Sequence, residues 1–455
     1  MSSTLNVTLN NPKAVTIDKI ELEKFDSSKK IEVKLLTASL MLSSSIHFPT
    51  IFGRMVIGDT NNLLDNETFS FTGEEFVNIT IKQPAQSNTI ALSDFSYKFV
   101  VNKVDTELQS EDASGSVYRI ELVSVDFFIN SGAMKSKGYS NTNTNIVKNI
   151  LENELKTEIP LVNFEETVGP TQYAFVESKP FEKINMVTNQ TFSTRDSITS
   201  TFLFYENFKG YNFESYENII QRNLESKTTP RKFSYKMTVS NDREAYNSIL
   251  SYLKPYRFNM HSRLAHGFYS TKVISYNLFE KRADERTITL PNEIKENRNK
   301  LNPNQDSRST NAFVDKVKEL GSLTYLIPYS PPSAYRGPER VDNTNSALLY
   351  SSPFSILLDE NTIAVRVNGI LDQNVGDLIE LEFPDSLATT NVLKNIDRDI
   401  SGRYIISELT HEIQNTGGAF EIESNVTCIK ESTLRKTTYY NSQSTINTIK
   451  IKALE

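Results

Sequence analysis

The feature that most constrains this chain is the recurrence of short apolar runs that alternate at period two and end in Gly-containing turns. In Gly73-Glu74-Glu75-Phe76-Val77-Asn78-Ile79-Thr80-Ile81 the last residues place apolar side chains on one face and polar ones on the other, as a half-buried strand requires. Similar runs occur at Ile31–Leu36, Leu40–Ile46, Pro49–Ile57, Ser96–Val104 and Tyr118–Val125. They return at Thr362–Val367, Val375–Pro384, Arg403–His411 and Phe420–Ile429. Many short strands at regular spacing predict barrels or sandwiches in both terminal regions.

The middle of the chain differs. Asn143–Leu155 puts Ile146, Val147, Ile150, Leu151 and Leu155 on one helical face, with Thr142 or Thr144 available as N-cap. Pro180–Val187 reads as a second helix with proline in its first turn. Asn241–Leu253 reads as a third, with Tyr246, Ile249, Leu250 and Leu253 on its apolar side, and Ala312–Leu320 as a short fourth. Lys232–Val239 and His266–Tyr276 have strand character. Between the first two helices and the third lies Phe202–Ile220, where Phe202, Phe204, Tyr205, Phe208, Tyr211 and Phe213 crowd around Asn207–Gly210. Two aromatic runs about an Asn-x-x-Gly turn predict a β-hairpin whose aromatics anchor a core or a subunit interface. Residues 292–312 and 328–346 are polar or proline-rich and read as loops.

The expected fold class is therefore β-rich and multidomain (α+β). Residues 1–133 form a first antiparallel β-barrel, and 134–340 a middle α/β region of which 203–240 is open to pairing with the second barrel. Residues 341–432 form that second barrel, and 433–455 an extended tail. The terminal regions also echo each other. Gly73-Glu74-Glu75 and Gly376-Asp377 both lead into alternating strands, and about 45 residues on Tyr118-x-Ile-Glu faces Phe420-x-Ile-Glu. Between them Phe95–Val101 parallels Gly402–Ser407. Either any two barrels produce such echoes, or the chain carries two related barrels. Two related barrels per protomer about a three-fold axis would make six similar units in a ring.

Composition narrows the function classes. A net charge of −7, with Lys and Arg scattered among Asp and Glu, argues against a dedicated nucleic-acid binder while leaving a wall that phosphates slide past. The single cysteine, Cys428, rules out an internal disulfide framework or thiolate metal cluster. No apolar run approaches membrane-spanning length, and the start lacks the basic and apolar regions of a signal peptide, so a cytoplasmic origin with no membrane anchor is expected. His261 and His266 are five apart, the wrong spacing for a zinc-protease helix; His47 and His411 stand alone. No Gly-rich phosphate loop or Gly-x-Ser-x-Gly elbow occurs. Glu74, Glu75, Asp377 and Glu380 are carboxylates a glycosidase would need in pairs, and strand edges are ordinary places for solvated carboxylates. The chain is expected to be no enzyme, with no catalytic, cofactor-binding or metal site.

The phrase Phe204-Tyr205-Glu206-Asn207-x-x-Gly210-Tyr211-x-Phe213 resembles the mid-chain hairpin of baseplate central hub proteins of contractile-tailed phages, the T-even-like hub family. The Gly73 strand and the Tyr118–Asn130 run resemble the end of that family's first barrel. Ser136-Lys137-Gly138-Tyr139, followed by the 143–155 helix, resembles its next element. Asn368-Gly369 through Val375-Gly376-Asp377, then Ser401-Gly402-Arg403-Tyr404 and His411, resembles its second barrel. The resemblance spans most of residues 60–430 and rests on the order of the motifs. It implies a homotrimeric ring in the virion baseplate, with tail tube or tube-initiator protein above, a central spike below, and genome passing through without specific binding. Tape-measure and baseplate wedge proteins would be further neighbours. Ile446, Ile449 and Ile451 in the tail would add a strand to a neighbouring chain. Rivals are the hub of a non-phage contractile system, a tail-associated cell-wall hydrolase, and a glycan-binding adhesin. The absence of Trp weighs against the adhesin, although 20 Tyr offer alternative sugar platforms.

Overall fold

A computed structural model describes residues 12–60, 63–64, 69–83, 93–108, 116–194, 201–226, 228–235, 245–254, 259–278, 281–288, 300–305, 323–329, 352, 354–384 and 396–434. The N-terminal part is strand after strand: β1 (Ala14–Lys24), β2 (Lys30–Glu32), β3 (Thr37–Ser45), β4 (Phe52–Asp59), β5 (Glu75–Gln83), β6 (Ser93–Leu108) and β7 (Ser116–Ser124), closed by helix α1 (Val125–Gly132). The alternation seen in sequence is the alternation of burial. Val77, Ile79 and Ile81 of β5, Met55 and Ile57 of β4, and Ile120 and Leu122 of β7 all point into one core. β1 escapes the sequence pattern because a register shift between Ile17 and Lys19 interrupts it, so that Ile17, Ile20 and Leu22 share the inner face.

The middle part holds β8 (Lys135–Asn141), α2 (Asn143–Asn149) continuing as a π-turn over Ile150–Leu155, β9 (Leu161–Phe164), β10 (Thr171–Ser178) and α3 (Pro180–Thr188). It continues with β11 (Phe202–Asn207), β12 (Gly210–Ser215) and α4 (Tyr216–Glu225). The expected helices at 143–155 and 180–187 and the hairpin form where periodicity and turn chemistry put them. Ser215 caps α4 by accepting from the Asn218 amide at 3.1 Å.

The C-terminal part runs β13 (Arg231–Ser234), β14 (Ile249–Leu253), α5 (Met260–Ala265), β15 (Thr271–Asn277), β16 (Arg282–Ile288), β17 (Asn304–Gln305) and β18 (Leu323–Tyr329). It ends with β19 (Ile363–Asn368), β20 (Leu378–Glu382), β21 (Gly402–Thr416), β22 (Ala419–Ile429) and β23 (Ser432–Thr433). Two expectations are corrected here. Ile249–Leu253, read as the end of a helix, is a strand paired antiparallel with β19; a waiting backbone partner overrides local periodicity. His266–Ser270 is the turn after α5 and not strand; only Thr271–Asn277 of that run is extended. The 312–320 helix and the tail residues Ile446, Ile449 and Ile451 lie outside the described residues.

Among the described residues thirteen strands are hydrogen-bonded in one sheet, and the sheet folds back on itself. β21-β3-β4-β7-β6-β5-β1-β22 is a run of antiparallel neighbours, and β21 pairs again with β22, closing a ring of eight. On the other side β13-β20-β21-β22-β19-β14 is a second set of six, whose outer ends meet at a parallel bridge between Ser234 and Ser248. β21 and β22 belong to both. Gly402–Ile405 lies against β20, and Glu408–Gln414 lies against β3. Phe420 and Glu421 lie against β1, and Glu423–Cys428 against β19. The first core accordingly includes Ile413, Phe420 and Ile422 beside the N-terminal residues.

The echo between the ends is also topological. β4, β5, β6 and β7 lie in the order β4-β7-β6-β5, and β19, β20, β21 and β22 lie in the order β19-β22-β21-β20, all antiparallel. Gly73 and Gly376, two residues before β5 and β20, both take left-handed backbone, at φ 88° and 86°.

Because two of the eight ring strands come from residues 402–429, a fragment of residues 12–134 is expected to lack a cooperative thermal transition and to aggregate through the open edges of β1 and β3. Circular dichroism and size-exclusion chromatography check this; a monomeric fragment with a sharp transition would contradict it.

Candidate functional site, an aromatic hairpin where three cores meet

The hairpin β11–β12 pairs Phe204 with Phe213, Tyr205 with Asn212 and Glu206 with Tyr211. The side chain of Asn207 holds its turn, accepting from the amides of Lys209 at 2.9 Å and Gly210 at 3.1 Å. Period two then divides the residues between faces. Phe202, Phe204, Tyr211 and Phe213 face the middle core with Phe181 of α3; ring centroids lie 5.3 Å apart for Phe204–Tyr211 and 5.9 Å for Phe181–Phe204. Tyr205 faces the other way, into the core of the second strand set. Five of the six predicted aromatics are thus buried inside the protomer. The sixth, Phe208, sits half-buried at the turn and packs against the first ring: Phe95 at 4.6 Å, Tyr97 at 6.3 Å and His411 at 5.8 Å, the last stacked at 26°.

Charged groups that sequence reasoning missed tie these faces down. On one face Glu214, with no exposed surface, accepts from the Tyr205 hydroxyl at 2.8 Å, from Asn218 Nδ2 at 2.8 Å and from Arg222 Nε at 3.0 Å. Arg222 and Asn223 both donate to the carbonyl of Gly376, at 3.1 and 2.9 Å, and Asn207 Nδ2 reaches the Val375 carbonyl at 3.4 Å. The hairpin and α4 together clamp the turn that launches β20. A Cβ at Gly376 would lie 2.5 Å from the Tyr205 hydroxyl, so that turn admits only glycine without displacement.

On the other face the buried carboxyl of Glu206 accepts from the Tyr97 hydroxyl, and burial raises its pKa well above the usual range. Its bond to Tyr97 ties hairpin to ring. Asp126 of α1 accepts from the Tyr211 hydroxyl at 3.2 Å. Two further buried ion pairs stiffen the surroundings, Lys183–Glu154 and Arg263–Glu360, both at 2.6 Å. The sequence signal for Glu206 and Glu214 was their place within otherwise aromatic alternating strands, where a surface carboxylate would not stand.

Among the described residues no group of three or more His, Cys, Asp and Glu is arranged to hold a metal ion, and no helix is long and apolar enough to cross a membrane. The four carboxylates considered from sequence divide between two separate places, Glu74 and Glu75 at the start of β5 and Asp377 and Glu380 at the start of β20. Glu75 is buried beside Lys24 at 2.6 Å at the start of β5, while Asp377 lies in the turn before β20 and Glu380 within β20, which is not a neighbour of β5. Cys428 is a buried core residue whose thiol burial pushes up above its ordinary pKa.

No protein-family model matches the chain, and no curated protein matches it. Solved structures do. A tail protein from Neisseria meningitidis MC58 superposes at a TM-score of 0.50 with 9% identity, covering 91% of this chain and 96% of that one. The protein shares its fold with a tail protein. A chain of the Francisella PdpA-VgrG complex, in its lidded form, superposes at a TM-score of 0.50 with 11% identity over 95% of this chain and 55% of that chain. At such identities the likeness is one of fold, and it extends over nearly all of this chain.

The clamp makes a quantitative expectation. Arg222→Met leaves the Glu214 carboxylate buried without its cation and should lower unfolding free energy by about 3–5 kcal/mol. The double variant Glu214→Met/Arg222→Met should recover most of that loss, because it removes both charges. Urea unfolding of the four proteins of this cycle measures both; equal losses in single and double variants would contradict the clamp.

Proposed function

We propose that the protein is the central hub of a contractile tail baseplate, a homotrimeric adaptor that joins tail tube to spike. The observation that carries this reading is the repeated strand order, β4-β7-β6-β5 and β19-β22-β21-β20, in a chain whose fold is shared with a tail protein. Each unit would be the body of a barrel. Three copies about one axis would present six such units, which suits a six-fold tube or tube-initiator on one side and a three-fold spike on the other. The role is mechanical and no residue is assigned a reaction. Phe202, Phe204, Tyr205, Phe208, Tyr211 and Phe213 would anchor the three cores to one another so that load passes between the ends of the protomer. Residues 433–455, with Ile446, Ile449 and Ile451, would add a strand to a neighbouring chain or to the spike. Genome would pass through the ring along an acidic wall without binding, consistent with the net charge of −7. Tape-measure and wedge proteins would be further contacts, and the site of action would be the virion baseplate.

A second reading keeps the same mechanics in a non-phage contractile machine, favoured by the fold shared with a chain of the Francisella PdpA-VgrG complex. Both predict self-assembly. Light scattering on the purified protein should give three times the mass of one chain, with ring-shaped particles in electron micrographs, and a larger complex holding three copies when tube and spike proteins of the same tail are added. A monomer under both conditions would overturn the hub reading.

A further inference from the structure

Along β21 and β22 the inward residues pass from one core to the other. Ile413 and Ile422 belong to the first core, Leu409 and Val426 to the second, and His411 and Ser424 stand between them. His411 is buried, its Nδ1 lies 2.9 Å from Ser424 Oγ, and the face of its ring is covered by Phe208 of the hairpin turn. Its Nε2 has no hydrogen-bond partner among the described residues. A titratable ring thus lies beneath the aromatic that seats the hairpin on the first ring.

We propose that the seam between the aromatic hairpin and the eight-stranded ring is an acid-sensitive joint, closed while His411 is neutral and released when it takes a proton. A second proton on this imidazole would put a cation and an unpaired N–H in the apolar gap between two cores. Few groups can compensate. The hairpin presents Phe208, Lys209, which lies 3.9 Å from Asp377, and Glu206, which is bonded to Tyr97. The ring presents Phe95, Tyr97 and Ser424. The loop before β20 presents Asp372, whose carboxylate is engaged by Arg231 at 2.7 Å. Burial accordingly lowers the His411 pKa from 6.5 to about 4, with Asp372 only partly opposing it.

The sign follows from that depression. The open joint binds the proton at an ordinary histidine pKa and the closed joint does not, so closure weakens as pH falls from about 6.5 to about 4 and levels off below. Over that window the ratio of open to closed joint should rise about 300-fold. Burial also raises the carboxyl pKa of Asp126, which bonds Tyr211, and of Asp377 beside Lys209, so the His411→Gln control assigns the response to the imidazole.

The chain has no tryptophan, so Phe208→Trp supplies a single reporter at the joint. Its emission should shift to the red between pH 6.5 and 4 while far-UV circular dichroism stays constant, and Phe208→Trp/His411→Gln should show no shift. Hydrogen exchange of unmodified protein and of His411→Gln, at pH 7 and 4.5 and corrected for intrinsic rates, gives a second reading should the reporter fold poorly. Peptides within 202–215 should lose protection at pH 4.5 only when His411 is present. Emission flat down to pH 4, a transition that survives His411→Gln, or one coincident with loss of secondary structure would overturn the proposal.

Discussion

Everything else in this protein depends on the antiparallel ladder between β21 and β22. Eleven residue pairs hold these two strands together, from Ile405–Ile429 to Thr416–Ala419. One end of the ribbon supplies the last two staves of the N-terminal ring and the other end supplies the middle of the second strand set. The break comes around Ser407, where the pairing shifts register between Ile406 and Glu408 and the partner of β21 changes from β20 to β3. A bulge there adds twist and lets one ribbon serve two differently tilted neighbours. The ring closes through it, so the N-terminal strands expose no open edge to another chain along that path.

The hairpin β11–β12 is the second tie, and it works by the simple geometry of a strand. One face looks to the middle core, the other to the second, and the turn reaches the first. The aromatics fill volume, while Glu206 and Glu214 set the register between bodies: an apolar contact tolerates a slide, whereas a buried carboxyl with fixed donors does not. The Glu214–Arg222–Gly376 contacts matter for that reason, since they fix where β20 begins and hence how it enters the ladder with β21.

What could be read from sequence follows the same division. Elements with unbroken periodicity and local turn signals were legible, among them β5, β7, the hairpin and the helices at 143–155 and 180–188. The echo between the two ends was legible at the glycines before β5 and β20, both of which take left-handed backbone. β1 was not, since its bulge hides the alternation, nor was β14, whose Ile249, Leu250 and Leu253 satisfy a helical pattern as well as a strand. The shared ribbon was least visible of all. Nothing local in Glu408–Gln414 indicates that it lies against Ser39–Ser45, more than 360 residues earlier; only the need to close a sheet sets that pairing. For the candidate site the sequence marked the aromatic cluster, five of whose residues the structure buries, but not the contacts of Glu206, Glu214 and His411, because those depend on burial and on partners supplied by other elements.

The most direct test of this account is native-state hydrogen exchange resolved by segment. If the β21–β22 ribbon joins both strand sets, amides of β3, β4 and β7 and those of β19 and β20 should share one upper limit of protection and be lost together as denaturant is raised. Exchange of residues 363–382 through a separate, smaller opening, with residues 37–124 still protected, would contradict it and show two bodies that merely touch.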